Sequence, residues 1–408
     1  GSHSHPGSAA AMRSPGLRGG LLSRKSGRSS RTPVAVVVTA ALDAYGSDLQ
    51  MMQTAIALHK AGWRVVVLAP RAGRLAEELT ASGIELRVCD FPVLVRSSAS
   101  PAGLVRMLAG AVSGLPGMIK MISGYDPDVV YVNTLTMPWW LLAGRIAGVR
   151  TVCHVHEAEE RDPLPVRWCL AAPLLLARLV VVNSNTTWRA TAGLVPGLRR
   201  RTRLIYNGVE PPEHDSELPD LAEPVRLVTI GRISPRKAPQ VALEATAILR
   251  AQGRDVRLDL CGSAADGKEW FEDQLLQRAT ESDLAGAVRF LGYTAPVWPA
   301  LAAADIVIAP SLGESFGNAV VEGQMACRPV VATAVQGHLE TVSDQETGLL
   351  VPCEDPAALA DAIGRLIDDP QAARRMARRG HDRALAQFSS QRYRTDIEAA
   401  LSELTRTG

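Results

Sequence analysis

Short β-branched runs alternate with helix-forming stretches along most of this chain, and that rhythm limits its fold more than any single residue does. VAVVVTA (34–40), RVVVLA (64–69), DVVYVN (128–133), TVCHV (151–155) and LVVVN (179–183) carry apolar side chains at successive positions, the pattern of strands covered on both faces. Helical segments such as DLQMMQTAIALHKAG, stopped at Gly62, lie between them. Strands buried on both faces and separated by helices are parallel strands with crossover connections. The rhythm breaks at YNGVEPPEHDSELPDLAEP (206–224), rich in proline and acids. It restarts with VRLVTI (225–230), VRLDLCG (256–262), VRFLG (288–292), DIVIAP (305–310) and PVVATA (329–334). The expected fold class is therefore α/β, two Rossmann-like doubly wound halves joined near 206–224. The last helical segment, Gln391 to Arg406, fits either half.

Composition narrows the class. The chain has 408 residues, 47% hydrophobic and 21% charged, which is globular composition at a length that favours two domains. GSHSHPGSAAA ahead of Met12 reads as a cloning scar, and the acid-free stretch that follows reads as a disordered basic arm, together residues 1–32. No apolar run reaches the roughly 18 residues of a membrane span. The nearest, LAAPLLLARLVVV, holds Arg178. Cys89, Cys153, Cys169, Cys261, Cys327 and Cys353 form no CxxC pair, which suits reduced thiols in a cytoplasmic protein. From Met12 to Ile205 there are 24 Lys and Arg against 12 Asp and Glu; the remainder has 20 against 30. Residues 91–125 contain no acid, but hold Arg96, Arg106 and Lys120 among apolar neighbours. Such a half would be drawn to an anionic membrane surface or an acidic acceptor; a solvated basic face is the plainer account.

In open α/β sheets, ligands bind beyond the carboxyl ends of the strands, so two loops stand out. After VRLVTI comes GRISPRKAP, with Gly231 for a tight turn, then Arg232 and Lys237 before a helix opened by Pro239. Two cations in a strand-to-helix loop suit a diphosphate, although no GK[ST] follows and this is not a P-loop. No GxGxxG follows the first strand, which removes the main support for a nicotinamide or flavin. After DIVIAP comes SLGESFGNAVVEG. Its helix is apolar nearly all round, yet carries Glu322, while Glu314 stands in the turn before it. The amides of Gly317, Asn318 and Ala319 lie at the helix start, where an anion is favoured. An anion in the middle with hydroxyl-rich groups at either end fits this layout, as in a nucleoside diphosphate sugar. The alternative is that Glu314 is a loop charge and Glu322 pairs with a core arginine.

These residues resemble a known family. GR-x5-K after a strand and ESFGN-x3-E before PVVAT look like the retaining family 4 glycosyltransferases with the GT-B fold. Supporting pieces are YGSDLQMM, PDVVYVNT, TVCHVHE, RLIYNGVE, VRFLGY and TGLLVPCEDPAALADAI, so the likeness runs from about Pro33 to Tyr393. It implies an acceptor-side domain over 33–206, a donor domain over 207–390 and a final helix, 391–408, crossing back to the first. It implies that Arg232 and Lys237 hold the donor diphosphate, that Glu322 binds ribose hydroxyls and that Glu314 contacts the donor sugar. Gly231 and the stretch Ser315, Phe316, Gly317 and Asn318 would cradle sugar and phosphate, with Gly292 and Tyr293 near the base. His156 in HVHE would face the sugar from across the cleft, His154 being a core residue. Gly46, Ser47 and Asp48 would form the loop near phosphate and acceptor. YGSD replaces the paired glycines of many relatives, and GHLE (337–340) replaces their Gly-Gly-x-Pro-Glu turn.

The expected activity is retaining, metal-independent hexosyl transfer from a nucleotide sugar to a hydroxyl, on a lipid-linked or cell-envelope glycan. No cofactor beyond that co-substrate, no metal and no nucleic acid is expected. The expected location is the cytoplasm, with peripheral attachment to the inner face of the plasma membrane following from the basic half. A nucleotide-sugar epimerase of the same fold and a non-catalytic nucleotide-binding scaffold are the other readings.

Overall fold

The computed structural model describes residues 31–43, 46–94, 101–157, 163–214, 216–264 and 267–406, the side chains of 101–108 excepted. The expected tag remnant, nearly all of the basic arm, and the side chains of Arg96 and Arg106 lie outside the described residues. From Pro33 onward the chain forms one compact unit built on two sheets.

The first sheet is parallel throughout, ordered β3-β2-β1-β4-β5-β6-β7. Its strands are β1 (Val34–Thr39), β2 (Arg64–Ala69), β3 (Glu85–Val88), β4 (Val129–Asn133), β5 (Arg150–Val155), β6 (Leu179–Val182) and β7 (Thr202–Leu204). The helices are α1 (Gly46–Lys60), α2 (Ala76–Ala81), α3 (Pro101–Tyr125), α4 (Pro138–Ile146), α5 (Leu164–Ala171) and α6 (Asn185–Ala190). All six residues of β1 are buried: Ala35 and Val37 face one core, Val36 and Val38 the other. That is the sequence signature of a sheet covered on both faces, realised residue by residue.

The second sheet, also parallel, runs β10-β9-β8-β11-β12-β13. Its strands are β8 (Val225–Ile230), β9 (Val256–Cys261), β10 (Val288–Gly292), β11 (Ile306–Ala309), β12 (Val330–Thr333) and β13 (Leu349–Val351). Around it lie α7 (Pro239–Ala251), α8 (Glu269–Ala279), α9 (Trp298–Ala302), α10 (Asn318–Met325), α11 (His338–Thr341) and α12 (Pro356–Asp368). Helix α13 (Pro370–Phe388) then leads into α14 (Ser390–Arg406).

The chain passes between the sheets twice, and the two passages touch. Val209 N donates to Phe388 O and Ser390 N to Val209 O, both at 2.8 Å. Gly208 is required there by close approach: a Cβ would lie 2.5 Å from Tyr393 Cβ and 2.8 Å from Ser390 Cα. Beyond this point Tyr393, Ile397, Leu401 and Leu404 of α14 are buried in the same core as Ala35 and Val37 of the first sheet. Each such side chain contributes about 1.5–3 kcal/mol by leaving water, so the final helix anchors one half to the other.

In each sheet the strand order reverses at one place, between β1 and β4 and between β8 and β11. A crevice opens at such a switch point, beyond the strands' carboxyl ends. The loops after β8 and β11 are GRISPRKAP and SLGESFGN.

Candidate active site

A cleft of about 1340 Å³ is lined by both of those loops and by the ends of first-sheet strands. On the second-half wall Gly231 leaves β8 with φ +129°, a conformation that side-chain-bearing residues rarely adopt. The chain then places Arg232, Arg236 and Lys237 along the cleft before α7 begins. Across from them Gly317, at φ +102°, starts α10, and a Cβ on it would lie 2.7 Å from His338 Cδ2. No side chain among the described residues caps α10, and Gly317, Asn318 and Ala319 at its start line the cleft. An uncapped helix start with cations opposite is a site for an anion.

The two carboxylates of this wall differ. Glu314 forms an ion pair with Lys237 and accepts a hydrogen bond from Ser311 Oγ at 3.2 Å. Burial pushes its carboxyl up, but Lys237, with His338 and Arg236 behind it, outweighs burial and holds it at about 2. Glu322, on the first turns of α10, is pushed up to about 7 by burial, with Lys237 opposing only in part. One carboxylate is a fixed charge; the other changes charge near neutrality. Among the described residues Glu322 has no arginine partner, which tells against the core ion pair considered above.

The first-half wall is built around a buried histidine. His156, just past β5, donates from Nε2 to Asn133 Oδ1 at 2.9 Å, while Asn133 Nδ2 donates to Ser47 O at 3.0 Å. The Ser47 carbonyl can only accept, so it fixes the Asn133 amide, and the amide oxygen fixes the proton of His156 on Nε2. Nδ1 is left as an acceptor, and it meets no hydrogen-bond partner among the described residues. Burial lowers the imidazole to about 3, so it is uncharged at neutral pH. Beneath it the His154 ring centroid lies 4.0 Å away, and His154 Nδ1 is 2.6 Å from Tyr131 Oη. Glu157 accepts from His156 N at 3.0 Å and from Thr134 Oγ1, and burial raises its carboxyl.

The cleft thus brings together Gly46, Ser47 and His156 from one side with Gly231, Arg232, Lys237, Tyr293, Glu314, Ser315, Phe316, Gly317, Asn318 and Glu322 from the other. Two expected residues sit off it. Asp48 is buried and accepts from Asp43 N at 3.0 Å, closing the turn into α1. Gly292 ends β10 and bridges Gly262. Phe316 turns its ring into a small core with Val321, Met325 and Phe388, so only its edge and backbone meet the cleft. Tyr293 carries the Arg74 guanidinium 3.7 Å over its ring, a contact across the two halves.

Several residues of this region escape a reading of the chain alone. Asn183 Nδ2 reaches Ser315 Oγ at 3.4 Å and Asn207 Nδ2 reaches Asn318 Oδ1 at 3.1 Å, tying the loop before α10 to the opposite side. Glu340, in α11, accepts from Asn185 N at 3.0 Å, Asn185 Nδ2 at 2.9 Å and Thr186 N at 3.2 Å. Its neighbour His338 is buried beside Gly317 and shares a hydrogen bond of 3.0 Å between Nδ1 and Thr333 O. The substituted turn GHLE therefore joins the loop before α10 to α6. Polar residues after strands were the only available signal for these positions.

Residues 46–213 match the family model described as Glycosyltransferase Family 4, and residues 224–369 match the model described as Glycosyl transferases group 1. A D-inositol 3-phosphate glycosyltransferase of Salinispora tropica is 39% identical over 175 residues, 41% of this chain and 36% of that protein. The match thus spans about a third of the relative's length. A protein of the same description from Nocardia farcinica is 28% identical over 411 residues, covering 88% of this chain and 86% of its own. Among solved structures, Anabaena HepE in complex with UDP-glucose superposes with a TM-score of 0.76 at 23% identity, over 91% of this chain and 99% of that one. Two parallel doubly wound sheets, a cleft at their switch points and a final helix returning to the first sheet define the GT-B architecture. The chain belongs to the group 1/family 4 glycosyltransferases.

Proposed function

We propose that this protein transfers a hexosyl group, with retention of configuration, from a nucleoside diphosphate sugar to an acceptor hydroxyl. The observation that carries the reading is the second-half wall: Lys237 and Arg232 on one side, the uncapped start of α10 on the other, Glu314 and Glu322 flanking both. In this reading the diphosphate lies against the α10 amides and the two cations, which stabilise charge on the departing nucleotide. Glu322, as carboxylate, accepts from the ribose hydroxyls. Glu314 accepts from the sugar, its charge kept by Lys237. His156 supplies Nδ1 as an acceptor from the opposite wall. The acceptor hydroxyl enters from the side of Gly46 and Ser47 and attacks on the face the nucleotide leaves. Its proton passes to the donor phosphate, and no enzyme carboxylate is alkylated. Positive charge comes from side chains and amides, so the reading asks no metal ion of the site.

Uridine is the first base to test, since HepE, which shares this fold, binds UDP-glucose. For the acceptor, the excess of Lys and Arg before Ile205 favours an anionic partner. A lipid-linked or cell-envelope glycan at the cytoplasmic membrane surface fits that excess. A soluble phosphorylated cyclitol is the second reading, favoured by the described activity of the Nocardia relative. The test is acceptor-dependent release of nucleotide diphosphate, with the anomeric configuration of the product read by proton NMR. A β-linked product from an α-linked donor overturns retention. Conversion of donor alone to an isomeric nucleotide sugar identifies an epimerase instead.

A further inference from the structure

Helix α5 reads LPVRWCLA, and of its residues only Ala171 is buried. Leu164 is 61% exposed, Val166 45% and Trp168 43%. Large apolar side chains grouped on one short helix mark an interaction surface rather than ordinary solvent exposure. The patch continues past the helix. α5 packs on the 3-10 turn at 172–176, which packs on the 3-10 turn at 196–201. Leu175 is 40% exposed, and a Cβ on Gly197 would lie 3.0 Å from its Cδ2. Arg201 Nη1 fastens the two turns by donating to Leu175 O and Ala177 O, both at 3.0 Å. Arg199 and Arg200 stand exposed beside it.

In sequence, Glu159, Glu160 and Asp162 precede α5, outside the described residues, and arginine dominates after it. From Pro163 to Val209 the chain has no Asp, Glu or Lys, and seven arginines: 167, 178, 189, 199, 200, 201 and 203. A second copy of the chain would fit poorly, because a two-fold contact sets the same arginines against each other. Exposed apolar side chains with Arg199 and Arg200 beside them match the boundary of an anionic bilayer, where arginine meets phosphate and tryptophan sits among the headgroups.

We propose that α5, together with the turns at 172–176 and 196–201, is a docking surface for an anionic phospholipid bilayer. Helix α5 belongs to the first half, the acceptor side in the proposed reading, so a bilayer held there would meet the half that takes a membrane-bound acceptor. The surface differs from the segment 91–125 singled out by charge alone. The inference deepens the membrane part of the proposed function and is tested apart from it, since vesicle binding requires neither donor nor turnover.

The experiment is co-sedimentation of the full chain with phosphatidylcholine vesicles, with and without phosphatidylglycerol, at low and high salt. Trp168 emission is taken as the difference between the parent and Trp168→Phe. The expected result is binding to the phosphatidylglycerol vesicles alone, weakened by salt, with a blue shift of the Trp168 component. An arginine near an anionic leaflet tightens binding about fivefold, so Arg199→Glu/Arg200→Glu should weaken it at least tenfold. Trp168→Ser should weaken it by about tenfold, and both variants should keep the parent's circular dichroism and nucleotide binding. Absence of binding to anionic vesicles at low salt overturns the proposal. So does equal binding by the variants, which would place the contact elsewhere, for instance in 91–125. A vesicle-indifferent dimer dissolved by Trp168→Ser would overturn it too and make the patch a self-interface.

Discussion

The two walls of the cleft are built on opposite electrical plans. The second-half wall carries charge: Glu314 is held ionised at about 2 by Lys237, beside Arg232 and the uncapped start of α10, and Glu322, at about 7, titrates near neutrality there. The first-half wall carries buried titratable groups: His156, lowered to about 3 and so uncharged, and Glu157, whose carboxyl burial raises. Opposing charges on one wall grip an anion wherever it arrives. Groups on the other work through the direction of single hydrogen bonds, set by the Ser47–Asn133–His156 chain. In the proposed reaction the charged wall holds the donor and the first-half wall selects its orientation.

The largest effect should come from the charged wall. Lys237→Ala should cost about 100-fold in donor-dependent turnover, as loss of one donor to a developing anion does elsewhere. It should also let burial raise Glu314, moving an acid limb into the pH–rate profile. Steady-state kinetics across pH checks both. Unchanged turnover would remove Lys237 from the diphosphate.

A smaller effect is expected from the first-half wall. Asn133→Leu frees the His156 ring and its tautomer, and should lower kcat about tenfold with little change in donor KM. The KM-against-kcat split is the informative readout, since a purely structural lesion would lower the melting temperature without that separation.

Glu322 sharpens the comparison through pH. Its folded pKa of about 7 lies above the ordinary carboxyl value of 4.5. The stability it contributes is present below the ordinary value and lost as pH rises through about 7, where burial of the charge is penalised. Ribose hydroxyls would supply the missing donors, so nucleotide affinity should rise through the same window. Glu322→Gln should flatten both dependences, measured by calorimetric titration and by melting at each pH.

The smallest effect belongs to Glu340→Ala, which releases the Asn185 and Thr186 amides and loosens the link between α6 and the loop before α10. Donor KM should rise about threefold, one ordinary hydrogen bond's worth, with kcat nearly unchanged.

The same division explains what could be read from the chain. Strands buried on both faces announce themselves as β-branched runs, so β1, β2, β4, β5, β6 and the core of the second sheet were legible. The short edge strands β3 (ELRV), β7 (TRL) and β13 (LLV) were not, because edge strands alternate or are too brief to show a pattern. The charged wall was legible because its residues fall in two loops that the strand-end rule selects. The first-half wall rests on Asn133, which meets Ser47 86 residues away, and on Asn183 and Asn207, whose partners in the second half lie 132 and 111 residues away in sequence. Nothing local to an asparagine declares which distant carbonyl or hydroxyl it will meet. The exposed helix α5 was equally hidden: nothing in LPVRWCLA itself separates a helix left in solvent from a buried one.

The most direct test of the central claim is the thermal midpoint of the purified protein against UDP, GDP, ADP, CMP and TDP, in the parent and in Glu322→Ala. A ligand at 100 times its Kd stabilises by about 2.7 kcal/mol, a shift of several degrees. The account predicts that one nucleoside diphosphate raises the midpoint of the parent and leaves that of Glu322→Ala nearly unmoved. No shift with any nucleotide, or an equal shift in both proteins, would contradict the assignment of the charged wall to the donor.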